Sequence, residues 1–234
     1  MATYGQFCPV AMAAEVLTER WTLLVVRELL CGSTRFNELR RGVPLMSPSL
    51  LSKRLKTLER VGVIERVSSG RGQPVEYLLT PAGEELFPIV EQMGVWGQRW
   101  ARGDVRARHM DASLLMWDIR RNVDASQLPP ERVVVHFHVR GSSDKKSRFW
   151  LVLEPEAVDM CLVDPGHPID LHVEGHVRTL ADYWMGRIEL ADAVRSGDLV
   201  IEGPRSLTRE LPKWFARSMF ASVEMPQELE PDAV

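Results

Sequence analysis

Hydrophobic and polar positions alternate with a helical period in the segment from Ser47 to Gly62. Ser47 and Pro48 predict the start of a helix, because a hydroxyl caps free backbone N–H groups and proline fits the first helical position. Gly62 predicts its end. One face carries leucines three or four residues apart, namely Leu51, Leu55 and Leu58. The other face carries hydroxyls and cations, namely Ser49, Ser52, Lys53, Lys56 and Arg60.

The flanking pattern predicts a winged helix-turn-helix. Three shorter helices precede this segment, over Cys8–Leu17, Trp21–Leu30 and Arg35–Arg41. Two strands follow it, Val63–Val67 and Val75–Leu79, and the polar loop SSGRGQP between them predicts a hairpin. In this arrangement the helix after the turn enters the DNA major groove, and the hairpin reaches phosphates or the minor groove beside it.

A further helix is expected from Thr80 to about Arg102. Its apolar stripe predicts packing against a second copy, which would place two reader helices about one DNA turn apart. The alternative is that this helix folds back onto its own domain or onto the second half of the chain. The predicted dimerisation residues are Leu86, Val90, Met93, Trp96 and Trp100, with Ile89 beside them.

The second half of the chain alternates with a period of two in RVVVHFHVR, Arg132–Arg140. Val133, Val135, Phe137 and Val139 face one way, and Val134, His136 and His138 face the other. The fold class is therefore α+β, with a mostly antiparallel C-terminal sheet covered by helices. The remaining predicted strands are 148–153, 158–163, 170–174 and 199–203, and the predicted helices are 111–123, one capped by Thr179 with Asp182, one ending at Gly197, and 205–215.

Length and charge refine this organisation. At 234 residues the chain has room for two domains, predicted over 1–104 and 111–222, with a mobile acidic tail over 223–234. The net charge is −3, yet residues 35–71 hold nine basic and three acidic residues, a local charge of +6. A cationic block in a near-neutral half predicts a phosphate-binding surface.

The predicted partner of this block is double-stranded DNA. Lysines and arginines suit phosphates or guanine edges, and serines suit either phosphates or bases. A solvated amphipathic helix is the alternative. Arg54 lies between the two helix faces, and Arg71 lies at the tip of the wing. The predicted DNA-binding residues are Arg35, Arg40, Arg41, Ser47, Ser49, Ser52, Lys53, Arg54, Lys56, Arg60 and Arg71.

Other chemistry finds little support in the sequence. Three cysteines, no secretory signal and no apolar run of about 20 residues predict a cytoplasmic protein without a membrane partner. Cys8, at a helix start, is a candidate redox sensor whose alternative is a packing or capping role. Known catalytic motifs are missing, so we expect no enzyme activity and no cofactor. His136, His138 and His172 could begin a metal site, but solvated or pocket-lining histidines are commoner, and no metal is predicted.

The first half resembles the HxlR-type winged-helix transcription regulators. The motifs that carry the likeness are the Cys-Pro start, the Trp21 segment, RFNELRR, the SPSLLSKRL reader helix and EYLLTPAG. Arg20 stands where this family usually has lysine. The resemblance implies a homodimer on a two-fold-related operator. In some members of the family the cysteine that matches Cys8 senses oxidants or electrophiles, and in others it has no such role.

The second half more loosely resembles the sterol carrier protein family, through RVVVHFHV and the run TLADYW, ELADAVRSG and GDLVIEG. The likeness implies a pocket for a hydrophobic effector between sheet and helices. Ordinary core packing is the alternative for its aromatic residues. The whole is predicted to be a regulator, or alternatively a lipid-binding or enzyme-accessory protein whose winged helix mediates protein association. The predicted pocket residues are Trp117, Phe137, Trp150, Tyr183, Trp184, Ile188, Trp214 and Phe215.

Overall fold

The computed structural model describes residues 3–68, 70, 74–101, 110–142 and 146–224. The chain divides into two compact units, Met1–Gly94 and Val95–Val234. Arg71, most of the segment 101–110 around the predicted domain boundary, and the tail from residue 225 onwards lie outside the described residues. The predicted domain limits therefore stay predictions. No helix in the described ranges is both long enough and apolar enough to cross a membrane.

The first unit has the predicted winged helix-turn-helix fold. Four helices, α1 (Pro9–Leu17), α2 (Thr22–Leu30), α3 (Phe36–Gly42) and α4 (Pro48–Arg60), precede an antiparallel hairpin of β1 (Ile64–Ser68) and β2 (Val75–Leu79). Glu38 accepts hydrogen bonds from the N–H groups of Thr34 and Arg35 and so caps α3. The core that holds these elements together comprises Val25, Val26, Leu29, Leu39, Val43, Met46, Leu51, Leu55, Leu58, Val63 and Ile64.

The prediction of one long helix after the wing is wrong. The chain instead forms a single turn, α5 (Pro81–Glu84), and then α6 (Phe87–Trp100). Pro88 explains the break, because proline has no N–H to donate to the carbonyl four residues earlier and belongs in the first turn of a new helix. Gly83 is also required at this corner, since a Cβ there would lie 2.2 Å from the Val63 carbonyl oxygen.

The second unit is an α+β domain. Helix α7 (Ala112–Arg121) leads to β3 (Val133–Arg140), β4 (Arg148–Glu154), β5 (Ala157–Cys161) and β6 (Leu171–His176), then α8 (Val177–Trp184), α9 (Leu190–Ser196), β7 (Leu199–Glu202) and α10 (Arg205–Trp214). The strand order is β5-β4-β3-β6-β7. The β3–β6 pair is parallel and the other three pairs are antiparallel.

The start of α8 differs from the prediction. The sequence suggested that Thr179 caps this helix, but α8 begins at Val177, and the His176 ring nitrogen Nδ1 accepts a hydrogen bond from the Arg178 N–H, at 3.2 Å. Histidine is not among the usual capping residues. The sequence signal for this boundary was therefore weak.

The sheet of the second unit has two chemically different faces. One face packs with the helices into an apolar core that includes Val135, Phe137 and Val139 of β3. The opposite face carries the alternate residues, among them His136 and His138, which are only partly buried. The period-two pattern of β3 predicted this division correctly. We call the second surface the open sheet face.

Candidate nucleic-acid interface

The two sides of α4 have opposite environments. Leu51, Leu55 and Leu58 are at most 1% exposed and anchor the helix in the core of the first unit. Lys53 and Lys56 are exposed, and neither has an ion-pair partner among the described residues. Helix α4 therefore offers two uncommitted ammonium groups, one helical turn apart, to the surroundings.

A shallow concave surface extends along this exposed side. We call it the reader surface, and it is lined by Glu19, Ser49, Ser52, Lys53, Lys56, Thr57 and Arg60. Five of the predicted DNA-binding residues are thus brought together. Ser47 lies at the helix start, where its hydroxyl oxygen accepts a hydrogen bond from the Leu50 N–H at 3.3 Å and lies 3.2 Å from the Ser49 hydroxyl.

Arg54 lies in a different environment from the exposed cations of α4, and its predicted DNA contact stays a prediction. This residue is only 9% exposed. Its Nε donates a hydrogen bond to the Arg20 carbonyl oxygen at 3.1 Å, and its guanidinium forms an ion pair with Glu19. Arg54 therefore fastens α4 to the turn between α1 and α2, where Trp21 adopts a left-handed backbone with φ of 79°. The leucine-and-cation pattern did not reveal this tertiary contact.

The sequence analysis also missed Glu19. Its carboxylate both pairs with Arg54 and lines the reader surface. It lies 30 residues before Ser49 in the chain, so no local period connects the two. An acidic group at this position is able to accept a hydrogen bond from a cytosine amino group, which a purely cationic surface does not offer.

Three of the other predicted DNA-binding residues are not among those that line the reader surface. Arg35, Arg40 and Arg41 of the α3 segment are exposed, and Arg35 Nε lies 3.5 Å from Glu76 Oε1 of the wing strand β2. Arg41 also has an interaction partner. Arg35 therefore links α3 to the wing, while Arg71 at the wing tip lies outside the described residues.

The predicted dimerisation stripe is divided between two environments. Leu86 and Val90 pack against the core of the first unit, so they do not belong to a free surface. Met93, Trp96 and Trp100 are 52%, 61% and 51% exposed. Phe87 and Ile89 are exposed as well. The stripe is thus covered at its N-terminal end, at Leu86 and Val90, and exposed further along the chain, at Met93, Trp96 and Trp100.

Cys8 lies immediately before α1 and is fully exposed. The backbone N–H groups of Ala11 and Val10, in the first helical turn, lower the pKa of its thiol below the ordinary value. The sulfur makes no capping hydrogen bond of standard geometry, so the effect is that of nearby N–H dipoles. The predicted shift towards thiolate is present, and a sensing role stays a prediction.

Most of the aromatic residues expected to wall an effector pocket are buried in the second unit. Phe137, Trp184, Trp214 and Phe215 belong to one continuous core, and Ile188 packs against it. Trp117, Trp150 and Tyr183 are each at most 9% exposed. The Tyr183 hydroxyl donates a hydrogen bond to the Phe215 carbonyl oxygen at 2.8 Å, and burial raises its pKa. Most of these side chains are therefore already covered by protein, and a pocket between them stays a prediction.

The histidines do not form a complete metal site. His136 and His172 lie together, with 3.2 Å between their Nδ1 atoms, while His138 lies 3.3 Å from Glu174. Within the described ranges, no three potential protein ligands converge on one point.

Comparison with known proteins gives a consistent result for the first half of the chain. Residues 16–104 match the family model described as HxlR-like helix-turn-helix. "Uncharacterized HTH-type transcriptional regulator YvaP" of Bacillus subtilis is 39% identical over 98 residues, which are 41% of this chain and 91% of that protein.

Two further relatives extend the comparison. "Uncharacterized HTH-type transcriptional regulator Rv3095" of Mycobacterium tuberculosis is 33% identical over 133 residues, covering 52% of this chain and 84% of that protein. A solved structure titled "Reduced form of the transcriptional regulator YodB from B. subtilis" is 31% identical and covers 42% of this chain and all of that chain, with a TM-score of 0.37. Since YvaP is matched over nearly its whole length, this chain belongs to the HxlR-like helix-turn-helix family.

Proposed function

We propose that the protein is a transcriptional regulator that binds double-stranded operator DNA as a homodimer. The observation that carries this proposal is the two-sided environment of α4, which buries three leucines and leaves Lys53 and Lys56 exposed and without an ion-pair partner among the described residues. The names of its relatives, HTH-type transcriptional regulators, agree with this function.

The chemistry of the reader surface suits DNA in two ways. Lysines at this spacing neutralise phosphates, and the release of counterions then supplies most of the binding free energy. Ser49, Ser52 and Glu19 add hydroxyl and carboxylate groups, which are able to contact phosphates or base edges. A surface for protein association alone would not need two exposed lysines that have no ion-pair partner among the described residues.

The homodimer part of the proposal depends on α6. Met93, Trp96 and Trp100 form an exposed apolar group on a helix that follows the wing. A second copy that covers this group would relate two reader helices by a two-fold axis, as operators with two half-sites require. Replacing Trp96 and Met93 with glutamate should convert the dimer to monomer in sedimentation measurements and weaken operator binding.

The DNA contact is tested with a double substitution. Lys53→Ala/Lys56→Ala removes four cations per dimer and should weaken binding to a DNA fragment, selected from genomic DNA by the purified protein, at least a hundredfold at moderate salt. Lys213→Ala is the matched control, because this exposed lysine lies in the second unit and pairs with Glu210. Equal loss in both variants, or no loss in either, would refute the proposed role of the reader surface.

The second unit is proposed to bind the small molecule that regulates operator binding. Its α+β fold and its loose resemblance to sterol carrier proteins support this role. An effector changes DNA affinity only if it binds one dimer conformation more tightly than the other. Operator affinity that stays constant at saturating effector would leave this unit without a regulatory role.

A further inference from the structure

The open sheet face carries two rows of polar residues across neighbouring strands. Trp150, His136, His172 and Glu202 lie directly opposite one another on β4, β3, β6 and β7. His136, His172 and Glu202, together with an adjoining row, border a concavity of about 370 Å³, within the size range of small-molecule sites, and Trp150 lies beside it. We call it the histidine cleft, and it is lined by His136, His138, Arg148, His172, Val173, Glu174, Val200 and Glu202.

Two buried polar atoms at the β3–β4 end of the cleft lack hydrogen-bond partners among the described residues. They are Nε1 of Trp150, a residue only 9% exposed, and Nε2 of His136. The two rings lie together, with centroids 4.9 Å apart. An indole N–H can only donate, and a buried donor without an acceptor is unfavourable. An occupant that reached the Trp150 N–H would therefore have to supply an acceptor oxygen.

The charges of the cleft favour an anion at the same end. Arg148 is exposed, lines the cleft and has no ion-pair partner among the described residues. Glu174 Oε1 lies 3.5 Å from Arg140 Nε, which balances its charge, and Glu174 Oε2 lies 3.3 Å from His138 Nδ1. Glu202 is three strands away from the strand of Arg148, or about 14 Å at the usual strand spacing. Its negative charge therefore has little effect on an anion beside Arg148.

The walls near Arg148 are mostly aromatic rings. His136, His138 and His172 line the cleft, and Trp150 lies against His136. Such rings favour a flat aromatic body in stacked or edge contact, while a guanidinium matches both oxygens of a carboxylate. We propose that the histidine cleft binds a small aromatic carboxylate, with its carboxylate on Arg148 and His136 and its ring among the imidazoles.

This assignment names the chemical class of effector for the proposed function, but the binding itself requires no DNA. It also places the ligand on the open sheet face, away from the aromatic core that the sequence suggested. Ligand binding can therefore fail in a titration without DNA while operator binding is retained. Operator binding can likewise fail while ligand binding is retained.

The histidine pair gives the proposed binding a pH dependence. With 3.2 Å between their Nδ1 atoms, His136 and His172 share one hydrogen bond when both are neutral. Burial, followed by the charges of His172, Arg148 and His138, lowers the pKa of His136, and Asp164 acts in the opposite direction. A bound carboxylate would favour protonated His136, so affinity should rise as the pH falls from 8 to 6. The other charged groups that face the cleft are Glu174 and Glu202.

Benzoate is the probe, and the full-length protein is titrated by NMR with the indole N–H of Trp150 as the reporter, assigned through Trp150→Phe. Saturable movement of this signal is expected, because the Trp150 ring lies against His136, which lines the proposed site. Arg148→Gln should weaken benzoate binding about tenfold or more. Arg140→Gln, on the same face but paired with Glu174, should change it less than twofold.

Two related ligands sharpen the result. Benzyl alcohol has the ring without the charge, and acetate has the charge without the ring, so both should bind at least tenfold more weakly than benzoate. Equal affinity for benzoate and benzyl alcohol, or equal effects of Arg148→Gln and Arg140→Gln, would overturn the carboxylate site. Acetate that binds as well as benzoate would overturn recognition of the ring. No movement of the Trp150 signal would overturn the placement of benzoate in the histidine cleft.

Discussion

Helix α4 and the sheet of the second unit each bury one apolar side and expose a polar one. They differ in how far apart in the chain the residues of the polar side lie. In α4 the exposed residues from Ser49 to Arg60 lie within four helical turns, so their grouping is set by the helix itself. On the sheet, Trp150, His136 and Glu202 belong to one row of residues but come from three separate strands. A site on one helix is therefore visible in sequence, and a site across strands requires the sheet order.

The largest expected effect concerns the core of the second unit. Trp214 is 1% exposed, so Trp214→Ala should lower the free energy of unfolding by about 3–5 kcal/mol in urea denaturation. Val200→Ala, on the open sheet face and partly exposed, should change it by no more than about 0.5 kcal/mol. A small loss for Trp214→Ala would instead favour the aromatic-walled pocket suggested by the sequence.

A smaller difference in the free energy of unfolding is expected between substitutions of two adjacent residues of α4, Lys53 and Arg54. Arg54→Ala should lower the free energy of unfolding by about 2 kcal/mol, because the buried hydrogen bond to the Arg20 carbonyl and the ion pair with Glu19 are both lost. Lys53→Ala should leave stability within about 0.5 kcal/mol of the original protein.

In DNA binding, Lys53→Ala should have the larger effect and Arg54→Ala the smaller one. Lys53→Ala removes two phosphate contacts per dimer, so the slope of log affinity against log salt should become less negative by about 2. Arg54→Ala should leave this slope unchanged. If Arg54→Ala altered the slope as much as Lys53→Ala, the assignment of Arg54 to the interior would be incorrect.

The wing and the helices of the first unit were predictable because local signals agreed. Ser47-Pro48 marks the start of α4, and the leucine period gives its buried side. The break between α5 and α6 was not predicted, because the apolar pattern continues across Pro88. The burial of Arg54 could not be predicted, since its partners lie 34 and 35 residues earlier in the chain.

In the second unit the strands were predicted well and the site was not. Alternation in β3 gave the correct face for His136 and His138. Aromatic residues were assigned to a pocket, although large aromatic side chains commonly fill cores. The parallel pairing of β3 with β6, which brings His172 beside His136, depends on the crossover and has no signature within either strand.

The stability of the protein should depend on pH through His136 of the sheet. The pKa of His136 is lowered in the folded protein, chiefly by burial, so the unfolded chain binds the proton more readily. Its contribution to stability is complete above the ordinary value of 6.5 and is lost as the pH falls below it. Urea midpoints at pH 7.5 and 5.5 should therefore converge for the original protein and His136→Asn at the lower pH. A constant difference would contradict this assignment.

The smallest effect is expected at Cys8. The lowered pKa of its thiol predicts faster alkylation by iodoacetamide near pH 7 than at an unstructured cysteine. Mass spectrometry of the modified peptides measures the rate, and heat-unfolded protein is the control. If operator release under oxidant is unchanged in Cys8→Ser, the thiol has no sensing role, whatever its reactivity.

The central claim is that the cations of α4 contact DNA phosphates in both subunits of a dimer. The most direct measurement is the affinity of the unmodified protein for a selected DNA fragment between 50 and 200 mM salt. At least six phosphate contacts per dimer predict a slope of about −5 and about a thousandfold loss of affinity over this range. A slope near zero would contradict the account, because a surface whose lysines meet phosphates must respond to salt.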